Sequence, residues 1–75
     1  MNTHHLDASG LKCPMPIIKL QQFIRKLNKG DQVEIKCTDP SAEKDIQSWC
    51  KVNRHQFIGV VSELDHLLIN IQIGR

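Results

Sequence analysis

Seventy-five residues with a net charge of +2 and 40% hydrophobic content suit one domain spanning 1–75, with little room beyond a single layer of helices on one small sheet. The composition is not that of a disordered chain, and it lacks the dense basic stripe of a nucleic-acid binder held mainly by phosphate contacts. No apolar run approaches the roughly 20 residues of a membrane span, and the N-terminus lacks the apolar segment of a secretory signal; a cytoplasmic protein without membrane contact is expected.

The segment His4 to Ala8 is short and centred on Leu6, compatible with a first strand that delivers the next residues to a sheet edge. Those residues are Gly10-Leu11-Lys12-Cys13-Pro14-Met15-Pro16. Proline has a fixed φ and no amide donor, so it suits the first turn of a helix. Pro14 is therefore the expected first helical residue, and Cys13 falls at or beside the N-cap. A sulfur there faces unpaired amides and the positive end of the helix dipole, a setting that favours thiolate over thiol. Lys12 adds a neighbouring positive charge. Read structurally, the same cysteine is only a packed small residue before an ordinary helix start, and the residues alone leave both readings open.

The first helix is expected from about Pro14 to Asn28, with Ile17, Leu20, Phe23, Ile24 and Leu27 on one stripe as its core face. Asn28 and Gly30 tolerate the left-handed conformation that ends helices. Met15 and Ile18 lie off that stripe with Lys19, so they form either part of a docking surface or ordinary exposed apolar residues. Val33, Ile35 and Cys37 then alternate with Gln32, Glu34 and Lys36 at the period of a half-buried strand. Asp39-Pro40 repeats the earlier logic, with Asp39 as N-cap and Pro40 at the first helical position. Ala42, Ile46, Trp49 and Cys50 make the inner stripe of the second helix, and Val52 to His55 its exit. A third strand is expected over Gln56 to Glu63, with Gly59 as a possible bulge. In the last, from Leu67 to Ile73, the odd-numbered residues are apolar. The fold class is α/β: a two-layer α/β sandwich of order β-α-β-α-β-β, with a four-stranded mixed sheet and two helices on one face.

Three cysteines, none in a Cys-x-x-Cys pair, argue against a disulfide framework and against a dithiol redox centre. Cys37 and Cys50 sit at core positions, where free cysteine is commonly buried. The four histidines form no spaced ligand set with the cysteines, so no metal and no cofactor is expected.

Leu6-Asp7 followed by the Gly10–Pro16 motif resembles the TusA/SirA-type sulfur-carrier family, in which a Cys-Pro-x-Pro motif carries sulfur as a cysteine persulfide. The resemblance continues in order through Leu27, Gly30, Asp39-Pro40, Asp45-Ile46 and Trp49-Cys50. It implies Cys13 as the sulfur-bearing residue, framed by Gly10, Pro14 and Pro16. It also implies a relay between proteins rather than small-molecule turnover. The partners it implies are a cysteine desulfurase or other persulfide donor and a downstream acceptor, as in tRNA 2-thiouridine synthesis or related sulfur trafficking. Lys12, Met15, Ile18, Lys19, Asp39, Lys44 and Asp45 are candidate docking residues. Asp39 and Asp45 also read simply as a cap and a solvated helix charge. Lys44 stands where the TusA branch has arginine, which keeps the charge but loses bidentate geometry, and Met15 replaces a glutamate familiar there. The alternatives are a regulatory or nucleic-acid-binding module using Lys12, Lys19, Arg25, Lys26 and Lys29, and a disulfide-exchange protein. The first lacks an exposed aromatic platform for bases. The second lacks a paired cysteine.

Overall fold

Val33, Ile35 and Cys37 are fully buried, and the strand that carries them, β2 (Gln32–Cys37), is an inner strand of the sheet. The structure, a computed structural model, describes residues 2–75. Around β2 lie β1 (Thr3–Ala8), α1 (Met15–Ile24), α2 (Ala42–Asn53), β3 (Gln56–Ser62) and β4 (Leu67–Gln72), in the expected β-α-β-α-β-β order. The sheet order is β1-β2-β4-β3. β1 runs parallel to β2, whereas β4 is antiparallel to both β2 and β3.

Register explains which face is buried. Leu6 pairs with Ile35 and Ala8 with Cys37 on one side, while Ile71 pairs with Val33 and Ile69 with Ile35 on the other. Side chains alternate across a pleated strand, so all of these fall on one face. That face meets Leu20 of α1 and Ala42, Ile46, Trp49 and Cys50 of α2, giving one core beneath two helices. The same alternation puts His5, Asp7, Glu34 and Lys36 on the open face. The irregularity expected in β3 is present, with Ile58 as the extra residue between Phe57 and Gly59.

Three boundaries correct the sequence expectations. α1 does not begin at Pro14: Pro14 is its N-cap, Met15 the first helical residue and Pro16 the second. Nor does α1 reach Asn28. It ends at Ile24, the Leu27 amide turns back to the Ile24 carbonyl at 3.0 Å, and the Asn28 amide is taken by the Asp31 carboxylate at 3.2 Å. Gly30, at φ +95, serves the turn into β2 rather than a helix cap. α2 starts at Ala42 with Ser41 as N-cap instead of Asp39, because the Asp39 carboxylate closes a turn on the Ser41 amide and hydroxyl, both at 3.0 Å. At its other end α2 runs through Val52 and Asn53, and Arg54 leaves it in the left-handed region at φ +63.

Candidate functional site

At the end of the sheet where β1 and β2 finish, two loops are tied together. Asp7 Oδ1 accepts the Ser9 amide at 2.9 Å. Gly10, at φ +79, is in a region that side chains rarely adopt, and it donates its amide to Thr38 Oγ1 at 2.8 Å. Three residues on, the Cys13 amide donates to Asp39 Oδ2 at 3.0 Å. Asp39 therefore does two tasks with one carboxylate: one oxygen organises the entry to α2, and the other holds the backbone of Cys13. Both hydrogen bonds, to Ser41 first and then to Cys13, hold its carboxyl below the usual carboxylate value. From the far side, Lys19 Nζ donates to the Asp7 carbonyl at 2.6 Å and ties α1 to the end of β1. The peptide between Cys13 and Pro14 is cis.

Cys13 is exposed, whereas Cys37 and Cys50 are buried. Burial pushes the thiols of Cys37 and Cys50 up to about 11, with the Asp39 charge adding to it at Cys37. One thiol of the three thus faces solvent, on a corner pinned at Gly10, Cys13 and Lys19. A cleft of about 300 Å³ runs beside it, lined by Gly10, Leu11, Lys12, Thr38, Asp39 and Pro40.

The electrostatics correct the expectation of a thiolate-stabilising helix start. The Asp45 carboxylate favours the protonated Cys13 thiol and raises its pKa; desolvation and the charges of Asp45 and Asp39 push the same way. The residues that start the helix also reduce its anion-binding capacity. Pro14 and Pro16 have no amide, and the Met15 amide is already bonded to the Lys12 carbonyl at 2.7 Å. The Lys12 charge contributes to lowering the Asp39 carboxyl.

Asp39 and Asp45 thus come together at Cys13, with Lys12 alongside. Met15 and Ile18 are exposed on α1, at 45% and 38%. Lys44 is exposed on α2 and makes no ion pair among the described residues. Thr38 and Ser41, which sequence reasoning did not single out, join the frame through their hydroxyls; their one signal is position, flanking Asp39-Pro40 just after a strand. The cations proposed for a nucleic-acid stripe are split. Lys12 is at this end and Lys19 is engaged on Asp7, while Arg25, Lys26 and Lys29 lie beyond the far end of α1. Trp49 is in the core. No helix among the described residues is long and apolar enough to cross a membrane.

Against known proteins, a family described as "Sulfurtransferase TusA" matches residues 4–73. The chain belongs to the TusA family. Within reach of it is "Putative sulfur carrier protein YrkI" of Bacillus subtilis, 38% identical over 69 residues that cover 92% of each chain. "Putative sulfur carrier protein YrkF" of the same organism is 40% identical over 58 residues, 77% of this chain, but the match spans only 31% of YrkF. A SirA-like protein from Desulfitobacterium hafniense superimposes with a TM-score of 0.80 over the full length of both chains at 21% identity, which shows a shared fold. The TusA-family match takes in both loops of the Cys13 corner, β2, β3, β4 and all of β1 except Thr3.

Proposed function

We propose that this TusA-family chain is a sulfur carrier that holds one sulfane sulfur as a persulfide on Cys13 and passes it to an acceptor protein. The observation that carries the reading is the partition of the thiols: Cys13 alone is exposed, on a pinned corner, while Cys37 and Cys50 are buried. The names of YrkI and YrkF support it.

In the loading step the Cys13 sulfur attacks the outer sulfur of a donor persulfide. A new S–S bond forms on Cys13, the donor's S–S bond breaks, and the donor leaves as a thiolate. The Cys13 proton leaves to solvent, against the pull of the Asp45 and Asp39 carboxylates, which favour the protonated thiol. Once loaded, an ionised outer sulfur stands near two carboxylates, so the site favours handing the sulfur on over keeping it as an anion. Gly10, Pro14 and Pro16 frame the corner. Met15 and Ile18 supply an apolar contact, and Lys12, Lys19, Asp39, Lys44 and Asp45 the charged rim, for a cysteine desulfurase or other persulfide donor and for the acceptor. In the TusA setting that acceptor leads toward tRNA 2-thiouridine or related sulfur trafficking, in a cytoplasm that keeps thiols reduced.

The test is intact mass after incubation with a cysteine desulfurase and cysteine. The expected result is a gain of one sulfur atom, removed by reductant, absent in Cys13→Ser and present in Cys37→Ser and Cys50→Ser. No gain with several unrelated donors would leave Cys13 a structural residue at a helix start.

A further inference from the structure

The end of the sheet opposite Cys13, about 17 Å away along a six-residue strand, carries a second feature that the sulfur-carrying reading does not use. There the end of α1, the end of α2 and the segment after β4 surround two clefts of about 430 and 540 Å³ that share His55 and Ile73. Arg25 and Arg75 line one, Lys29 and Arg54 the other, and no Asp or Glu lines either.

The neutral polar groups here are also donors. His55 is 9% exposed, and its Nδ1 accepts the Gly74 amide at 3.1 Å. The proton of the neutral ring is therefore on Nε2, which has no acceptor among the described residues. Burial, then the Arg75 charge, lower the pKa of His55 and keep the ring neutral. His55 lies against Trp49, ring centroids 4.9 Å apart. Trp49 also lines the first cleft, and its Nε1 is the one buried side-chain polar atom without a partner among the described residues. Native interiors rarely leave such a donor unpaired. The surroundings are rigid: a Cβ on Gly74 would lie 1.8 Å from the Arg54 carbonyl oxygen, so the chain after β4 is pressed onto the exit of α2.

We propose that this end is a binding site for a tetrahedral oxyanion of the phosphate or sulfate type, held by Arg25 and Arg75 with the His55 Nε2–H as a neutral donor and the Trp49 indole packed against that ring. Such a ligand offers acceptors in several directions at once and carries charge opposite to that of the four cations lining the two clefts.

The chain has one tryptophan, so its indole N–H gives a single NMR resonance. Titrating the full chain with inorganic phosphate and with sulfate, against chloride at matched ionic strength, is expected to move that resonance saturably with the oxyanions alone. Arg25→Gln and Arg75→Gln are each expected to weaken binding about tenfold, the loss of one charge-assisted hydrogen bond. Lys51→Gln removes an exposed cation that lines neither cleft and is expected to leave it unchanged. Tighter binding of adenosine monophosphate than of inorganic phosphate would place the anion on a larger molecule, and equal binding would mark a free ion. An indole resonance that does not move, that moves equally with chloride, or whose titration survives both arginine substitutions overturns the site, as does an equal loss in Lys51→Gln.

Discussion

A carboxylate beside a thiol works against the thiolate, and Cys13 has two within electrostatic reach. Its ionisation is displaced upward from the ordinary value of 9.0, so at neutral pH the resting carrier is a protonated thiol. Alkylation by iodoacetamide should consequently be slow at neutral pH and accelerate only as pH rises past that value. Asp45→Asn takes away the largest contribution; the pH–rate profile should move down and the neutral-pH rate increase several-fold, and an unmoved profile would remove Asp45 from the account. The buried thiols give a second expectation. Ellman's reagent should titrate one thiol in the native chain and all three in denaturant, since burial holds Cys37 and Cys50 protonated and out of reach. The singular position of Cys13 was legible in the sequence, from proline placement and from strand and helix periodicity around the other two cysteines. Its electrostatics were not. They depend on Asp39, 26 residues away and locally expected as an N-cap, and on Asp45, locally expected as a solvated helix charge.

Element interiors were readable and element ends were not, for a related reason. Leu20, Ile46 and Trp49 fall on their stripes because burial enforces the period of 3.6, and Val33, Ile35 and Cys37 alternate because a strand has two faces. Ends are decided by hydrogen bonds from elsewhere. Asp31, 6% exposed, closes the turn after α1 by accepting the amide of Asn28 and also that of Asn2, with His4 Nε2 at 3.3 Å. Its carboxyl is held below the ordinary 3.8, first by the Asn28 amide and then by Asn2 and His4. A folded-state pKa below the unfolded one means that the clasp stabilises the fold above about pH 3.8 and loses that contribution as pH falls through the folded value. Asp31→Asn should flatten this acid limb in thermal melts and lower the melting temperature at pH 7. An unaltered acid limb would show that other carboxylates govern it. Asp39→Ala should likewise lower the melting temperature, and also broaden the Cys13 amide resonance, because it releases the Cys13 loop and the α2 entry together.

At the scale of the molecule, the described residues share one core, and among them no second cluster absorbs damage. Ile46→Ala, at a fully buried position between α2 and the sheet, should cost about 2–5 kcal/mol. A domain of this size has only about 4–11 kcal/mol in total, so urea melts should show a large drop in midpoint with little change in slope. Strand order carries a consequence in time. β2 takes its neighbours from opposite ends of the chain: Thr3 lies against Gln32, and Gln72 lies against Gln32 from the other side. The one strand pair with no helix between its members, β3 with β4, forms at the rim. Each inner pairing must therefore close a long loop before any contact rewards it. Folding should be slow for the size, on the order of milliseconds to seconds rather than microseconds. A chain halted before Leu67 should remain unfolded, so during synthesis the Cys13 corner comes into being late and all at once.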